Sequence, residues 1–157
     1  IKNRGKLITA LDSKVDREPF LINFYLDSKV LQVINFHSRP HDNNPQAEIK
    51  AISEHIANAK TGSLIFAGDF NTTVQDPVFK TLKSNGFVPA LVEQKTTLKR
   101  SCTGLDYLNH AIDNVFYSKD LTYIESGVLD FVMSCDQLDK ARKLSDHLPV
   151  YIKFSLN

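Results

Sequence analysis

The amino-acid sequence predicts an α/β fold with α+β layering, in which helices pack against β-sheets. Segments of strand length are rich in aromatic and β-branched residues, and a turn short enough for an antiparallel hairpin separates 19–27 from 29–37. The next segment has helical periodicity and leads to another apolar run, so it reads as a crossover between two strands. Hairpins combined with a crossover indicate a layered fold, and 157 residues suffice for one domain.

Three strands are predicted before the first helix. They are "GKLITALD" (5–12), "PFLINFYLD" (19–27) and "KVLQVINFH" (29–37). The second and third form the predicted hairpin, because only a short turn lies between them.

Two helices are predicted from their boundary residues. Asn44 is a suitable cap for a helix that starts at Pro45, and Gly62 follows its end. Its apolar face comprises Ile49, Ile52, Ile56 and Ala59. The segment 76–86 has the same signals, with Asp76 as cap and a glycine as the stop.

The remaining strands surround polar segments. "SLIFAGD" (63–69) is a continuous apolar run, as expected of a strand buried on both faces. Strands are also predicted at 110–118, 121–131 and 147–156, and the segment 136–144 is either a short helix or a loop.

Composition excludes several classes of protein. The chain is 42% apolar and 24% charged, with a formal net charge of +1, so no strong basic field favours nucleic acid. No apolar run approaches the roughly 20 residues of a membrane span. Recognition of a phosphate would therefore depend on a local site, and the cellular compartment is not indicated.

The cysteines and histidines lack metal-binding spacing. Cys102 and Cys135 are the only cysteines; two free structural thiols are the favoured interpretation, with a disulfide as the alternative. The five histidines are scattered and form no short-spaced zinc motif.

Four polar stretches border or interrupt predicted strands. They are "NFHSRP" (35–40), "GDFN" (68–71), "AIDNVFYS" (111–118) and "SDHLPV" (145–150). Each alone could be a turn or a hydrogen-bonded core residue, as Asp and Asn satisfy local backbone groups well. Asp113 is less easily explained, since an unpaired carboxylate within a strand is costly to bury. Functional groups concentrate where strands end, so the four together predict one site.

These residue types suit hydrolysis of a phosphoester. Carboxylates provide the hard oxygen ligands that a divalent cation needs, and a carboxylate or histidine can accept a proton from an attacking water. Imidazolium and amide groups stabilise the negative charge that develops on the phosphoryl oxygens. A histidine used in this way needs an acid that orients its other ring nitrogen.

On these four motifs, in this order, the sequence resembles the endonuclease/exonuclease/phosphatase superfamily of deoxyribonuclease-I-like phosphoesterases. "DREPFLINF" (16–24) is also similar to a strand of the nuclease branch. The resemblance extends over nearly the whole chain and implies a two-sheet β-sandwich flanked by helices. It also implies a hydrolase that requires Mg²⁺ or Mn²⁺.

The resemblance implies catalytic roles for five residues. Asp69 would orient or activate the nucleophilic water, and Asn71 would hydrogen-bond the scissile phosphate. His147 would stabilise a phosphoryl oxygen, with Asp113 as its orienting acid. His37 corresponds to the second histidine of the nuclease branch, a general acid or phosphate ligand.

Two further residues have implied binding roles. Asp146 would contribute to the metal site. Arg17 would contact substrate phosphate, with a surface salt bridge as the alternative.

The resemblance also implies that part of the domain precedes Ile1. No residue of this chain fills the place of the family's early Asn or of the Glu that is its principal metal ligand. We therefore interpret residues 1–157 as the carboxyl-terminal portion of a single domain, inactive in isolation. Its exposed apolar sheet surface would be covered by the missing amino-terminal portion or by another copy of the chain.

The implied function is a nuclease-like phosphodiesterase acting on a phosphoester such as nucleic acid. The alternatives are a phosphatase of the same superfamily that acts on inositol phosphates or lipids, and a scaffold domain that has lost activity. The near-neutral charge does not favour long duplexes, which prefer a basic surface.

Overall fold

A mixed six-stranded β-sheet forms the centre of the structure, a computed structural model that describes residues 4–59 and 62–157. Its strands are β1 (Lys6–Leu7), β2 (Phe20–Leu26), β3 (Lys29–His37), β4 (Leu64–Asp69), β5 (Phe87–Pro89) and β8 (Asp113–Ser118). They follow the order β1-β2-β3-β4-β8-β5, and β3 and β4 are parallel while the other neighbours are antiparallel.

Two two-stranded sheets lie outside the central sheet. They are formed by β6 (Leu98–Thr103) with β7 (Asp106–Leu108), and by β9 (Leu121–Val128) with β10 (Val150–Leu156). Both are antiparallel.

Helix α1 (Pro45–Asn58) is the crossover that makes β3 and β4 parallel. Its predicted start is confirmed, although Asn44 has a left-handed backbone, with φ of 57°, and its side chain makes no capping bond. In the second predicted helix a 3₁₀ turn precedes α2 (Lys80–Ser84), and the Asp76 carboxylate accepts a capping bond from Val78 N at 2.8 Å. Helix α3 spans Leu138–Arg142. No helix within the described residues is long and apolar enough to cross a membrane.

Apolar packing divides the protein into layers, as predicted. On one face of the sheet, α1 buries Ile49 and Ile52 against sheet residues such as Phe66. Edge-to-face contacts join Phe70 to its aromatic neighbours Phe66, Phe79 and Phe116. On the other face the two-stranded β9–β10 sheet packs against the central sheet, so the molecule has one helical layer and two sheet layers.

The β9–β10 layer leaves part of its face of the central sheet open. Strand register puts Phe20, Ile22, Phe24 and Leu26 on the same face as Leu31. Phe20 and Leu26 remain 39% and 50% exposed. Large apolar side chains at this edge therefore face solvent in the isolated chain.

A third group of residues forms a lobe around its own small core, which contains Leu98, Val132, Leu138, Ala141 and Leu148. A disulfide between Cys102 and Cys135 ties β6 to the segment before α3. The favoured prediction of two free thiols is therefore wrong, and the alternative of a disulfide is correct. Their separation of 33 residues carries no local signal, but the fold brings the two Cα atoms within 5.8 Å.

Several predicted boundaries are corrected. Only Lys6 and Leu7 of the predicted strand 5–12 form a strand, because the chain then turns into a 3₁₀ helix at Thr9–Leu11. The strand predicted at 110–118 begins at Asp113. The short strands β5, β6 and β7 were not predicted. The predicted domain includes residues 1–3 and 60–61, which lie outside the described residues.

Candidate active site

Three of the predicted catalytic side chains lie in one row across the sheet. β3 ends at His37 and β4 ends at Asp69, and these two residues are paired in the parallel register. β8 is antiparallel to β4, so its first residue, Asp113, is paired with Asp69 from the other side. Paired residues project from the same face of a sheet, which brings the imidazole and both carboxylates together.

The glycine of "GDFN" permits this arrangement. Gly68 is paired with Phe36 and has a φ of 151°. A Cβ at this position would lie 1.7 Å from the carbonyl oxygen of Phe36. Only glycine therefore allows the two strands to approach this closely.

After Asp69 the chain makes a tight polar turn. Asn71 has a left-handed backbone, with φ of 49°, and its N–H donates to Asp69 Oδ1 at 2.9 Å. Asn and Asp favour such turns because their short side chains hydrogen-bond the local backbone. The Asn71 side chain donates from Nδ2 to the carbonyl oxygen of Ser38, at 3.3 Å. The turn thus fixes both the carboxylate and the amide.

His147 is held by Asp113. Its Nδ1 lies 2.9 Å from Asp113 Oδ2 and 3.1 Å from Oδ1. An ionised carboxylate can only accept, so Nδ1–H is the donor and Nε2 faces the site. The Nε2 atom lies 3.8 Å from Asp69 Oδ2, whose other neighbour is His37 Nε2 at 3.5 Å. These two distances are ion-pair contacts rather than hydrogen bonds.

Thr96 supports the pair from the third lobe, and sequence reasoning missed it. Its buried hydroxyl donates to Asp113 Oδ2 at 2.6 Å and accepts from Asp113 N at 3.1 Å. The adjacent Thr97 forms a β-bridge with His147. No local pattern around "KTTLK" indicated this role, because the contacts are made across the fold.

The site has unusual proton affinities. The hydrogen bond from His147 to Asp113 raises the pKa of His147, and the negative charges of Asp113, Asp69 and Asp146 raise it further against the opposing effect of burial. Burial raises the pKa of Asp69, whose side chain is only 14% exposed, and the neighbouring charge of Asp113 adds to this. The N–H of Asn71 opposes that rise. The arrangement favours a protonated imidazole beside a carboxylate of increased basicity.

Among the described residues, one group could hold a metal ion: single ligand atoms of Asp69, Asp113 and His147 lie within 4.8 Å of one another. Two carboxylates provide the oxygen ligands that Mg²⁺ and Mn²⁺ accept, so the chemistry of the site fits a divalent cation. Asp146, the predicted ligand, is exposed and is not one of the three. It lines a small cleft beside His147 and Arg142.

The other predicted substrate residue, Arg17, is exposed, and its charge acts on the adjacent carboxylate of Asp16. A cleft of about 650 Å³ begins at Asn71 and is lined also by His41, His110 and Ile112. Neither of these histidines was predicted as a site residue. Both are exposed and lack a distinctive motif: His41 begins a short 3₁₀ helix and His110 lies in a loop.

Comparison with known proteins gives a family and a fold. The sequence matches the Endonuclease/Exonuclease/phosphatase family over residues 9–147. No curated protein matches it. A similar solved structure is an endonuclease/exonuclease/phosphatase family protein from Leptotrichia buccalis C-1013-b, 18% identical, with a TM-score of 0.62 over 89% of this chain and 55% of that one.

Two structures of D. rerio TDP2 are also similar. A humanized form is 17% identical, with a TM-score of 0.68 over 98% of this chain and 66% of that one. A complex with single strand DNA product is 17% identical, with a TM-score of 0.59 over 88% and 61%. The chain therefore spans between 55% and 66% of the length of these three structures, and at this identity the likeness shows a shared fold. The match over residues 9–147 establishes that the chain belongs to the Endonuclease/Exonuclease/phosphatase family.

Proposed function

We propose that the protein is a metal-dependent phosphoester hydrolase, and specifically a nuclease-like phosphodiesterase. The observation that carries the proposal is the constellation at the sheet edge: Asp113 orients His147, whose free Nε2 faces Asp69. Family membership supports phosphoester hydrolysis as the class of reaction.

Each side chain then has one chemical role. Asp69 orients the attacking water and accepts its proton, which its burial-raised pKa favours. His147, whose protonated form the hydrogen bond to Asp113 stabilises, donates from Nε2 to a phosphoryl oxygen. Asn71 donates its remaining amide hydrogen to the same phosphate. His37, which is 57% exposed, donates a proton to the leaving oxygen as the P–O bond breaks.

A divalent ion would neutralise the charge that develops on the phosphoryl group. Because Asp69, Asp113 and His147 act on water and phosphate in this proposal, a Mg²⁺ or Mn²⁺ ion would instead be held by Asp146, which lines the cleft beside His147, together with the upstream Glu that the family resemblance implies. With so few protein ligands, such a site would suit an ion that retains several waters and also binds the substrate phosphate.

The proposed substrate is a short or single-stranded nucleic acid. One structural neighbour, D. rerio TDP2, carries a single strand DNA product, which supports this class of ligand. The net charge of +1 gives no basic surface for a long duplex. Arg17, which lies outside the catalytic cluster, is proposed to contact a phosphate of the substrate.

We also propose that residues 1–157 are the carboxyl-terminal portion of one domain. The exposed apolar side chains of Phe20 and Leu26 support a covering element on this face of the sheet. The missing amino-terminal portion would provide it, and a second copy of the chain would do so if that portion were absent. Small-angle scattering distinguishes the two covered forms from a monomer whose sheet face is open. A monomer with an open face would contradict the proposal.

The activity is tested with the complete protein on single-stranded oligonucleotides, with Mg²⁺ and with EDTA. Asp69→Asn should lower kcat about a hundredfold or more, because one acid–base or electrostatic group is lost. Asp139→Asn, the same change at an exposed position of α3, is the matched control and should leave kcat unchanged. Cleavage that survives both EDTA and Asp69→Asn would refute the mechanism. No cleavage of any phosphoester by the metal-loaded protein would refute the function.

A further inference from the structure

A fully buried carboxylate lies outside the constellation that carries the reaction. Glu48 is in the first turn of α1 and its side chain is 0% exposed. Its two oxygens accept backbone N–H bonds from Asp16, at 2.6 Å, and from Arg39, at 2.7 Å. The guanidinium of Arg39 adds charge, with Nε 3.3 Å from Glu48 Oε1. A buried carboxylate is tolerated only with such partners, so this position requires a negatively charged hydrogen-bond acceptor.

The bond to Arg39 reaches the candidate active site through one peptide group. The N–H of Arg39 and the carbonyl of Ser38 belong to the same planar unit. Glu48 accepts from its N–H, and Asn71 Nδ2 donates to its carbonyl oxygen at 3.3 Å. Hydrogen bonds in such a chain polarise one another, so an N–H bound to a carboxylate makes its carbonyl a better acceptor.

This peptide group is also fixed relative to the catalytic strand. Ser38 is fully buried, and its N–H donates to the carbonyl oxygen of Asp69 at 2.9 Å. The peptide between Ser38 and Arg39 is thus held on one side by Glu48 of α1, which binds its N–H. On the other side, the adjacent Ser38 N–H is bound to Asp69 at the end of β4. Rotation of its plane would break the bond to Glu48 and would withdraw the carbonyl from Asn71.

The orientation of the Asn71 amide follows from this contact. The amide has two N–H donors on Nδ2 and one acceptor, Oδ1. Because one Nδ2 hydrogen of Asn71 is bonded to the Ser38 carbonyl oxygen, the second remains available to a ligand. A reversed amide would place Oδ1 against the Ser38 carbonyl oxygen, which is unfavourable because both are acceptors.

We propose that Glu48 is a positioning residue for Asn71: through the peptide between Ser38 and Arg39 it fixes which end of the amide faces the substrate. The proposal rests on the proposed function, in which Asn71 donates to the scissile phosphate. Glu48 itself touches no reacting atom.

The test uses Glu48→Gln in the complete protein, which retains shape but replaces one acceptor oxygen with a donor. The matched control is Glu54→Gln, because Glu54 is on the same helix, is half exposed and forms a solvent-facing ion pair with Lys50 at 4.0 Å. Glu48→Gln should lower kcat roughly tenfold or more, as expected for a residue that orients a substrate-binding side chain without touching the substrate. Glu54→Gln should leave kcat unchanged.

A double-mutant cycle separates positioning from loss of stability. In the Asn71→Ala background, Glu48→Gln should change kcat less than about twofold, because the group that it positions is gone. If the double mutant lost kcat by the full product of the two single-mutant losses, the two residues would act independently and the proposal would be overturned. Glu48→Asp, which keeps the charge but shortens the side chain, is a second variant in case Glu48→Gln does not fold. Its kcat should be lower than that of the wild type, and this loss should also disappear in the Asn71→Ala background.

Side-chain amide NMR gives a readout independent of activity. The Nδ2 resonances of Asn71 are assigned by their loss in Asn71→Ala. In the wild type and in Glu54→Gln one Nδ2 hydrogen should exchange slowly, and in Glu48→Gln or Glu48→Asp its protection should fall. Unchanged protection would overturn the proposal. If no variant hydrolyses a phosphoester but protection falls as expected, the proposed function fails while the positioning of Asn71 stands.

Discussion

Replacement of Gly68 by alanine should separate the two parallel strands that carry the active site. The added Cβ would lie 1.7 Å from the carbonyl oxygen of Phe36, whereas real Cβ contacts are not shorter than 3.0 Å, so a shift of 1.3 Å is required. The obstacle is backbone, which cannot move aside as a flexible side chain can. The nearby bond from Ser38 N to Asp69 O is 2.9 Å long and would exceed hydrogen-bond distance after such a shift.

The magnitude follows from the bonds that break. Two or three backbone hydrogen bonds at about 1 kcal/mol each, with a buried group left unpaired at about 1–3 kcal/mol, give a loss of about 3–6 kcal/mol. That is a large part of the roughly 5–15 kcal/mol by which a domain is stable. A displacement of about 1 Å also lowers activity by about a hundredfold, because the reacting groups are misplaced.

Two other glycines separate the steric effect from backbone strain. Gly104 has a φ of 59°, but a Cβ there would meet no atom within 4 Å, so Gly104→Ala should cost only about 1 kcal/mol. Gly62 has neither feature, and Gly62→Ala should lie within about 0.5 kcal/mol of the wild type. Urea unfolding gives the three free energies. A cost for Gly68→Ala no larger than that of Gly104→Ala would refute the steric argument.

Two further predictions concern the pair and the disulfide described above. Asp113 raises the pKa of His147, so the stability that this pair contributes is fully present below the unfolded pKa of 6.5 and is lost as pH rises through the raised folded pKa. Asp113→Asn should therefore lower the folded pKa of His147, measured by NMR titration of the imidazole. An unchanged titration curve would contradict this prediction. Replacing both Cys102 and Cys135 with serine opens a loop of 33 residues and should lower the free energy of unfolding by about 3–4 kcal/mol in urea, whereas a loss below about 1 kcal/mol would show that the lobe does not need its cross-link.

The sequence predicts the sheet and the row of site residues because both depend on local patterns. The continuous apolar run that ends in "GDFN" is β4, and the strand that ends at His37 is β3. The segment 5–12 misleads because Ile8 and Leu11, which are buried, suit a turn of helix as well as a strand. Short-range periodicity cannot distinguish the two over so few residues.

Of the third lobe only the segment of α3 was anticipated, as a short helix or a loop, because the lobe is stabilised by contacts distant in sequence. β6 and β7 are short and polar, and the Cys102–Cys135 bond and a small core hold them in place. Thr96 enters the site through this lobe, so its contact with Asp113 is visible only in the folded structure. The role of Glu48 was likewise not predictable, because its hydrogen-bond partners Asp16 and Arg39 lie in two separate loops.

The parallel pairing of β3 and β4 also determines when the active site can form during folding. The β2–β3 hairpin closes through a short turn, but His37 meets Asp69 only after the whole α1 crossover has docked. Asp113 and His147 are 34 residues apart, and their meeting requires the lobe between them. Closure of long loops is entropically slower than closure of hairpins. A chain with its hairpin and helix already formed would still lack the candidate site, so assembly of this site marks the completion of folding rather than its start.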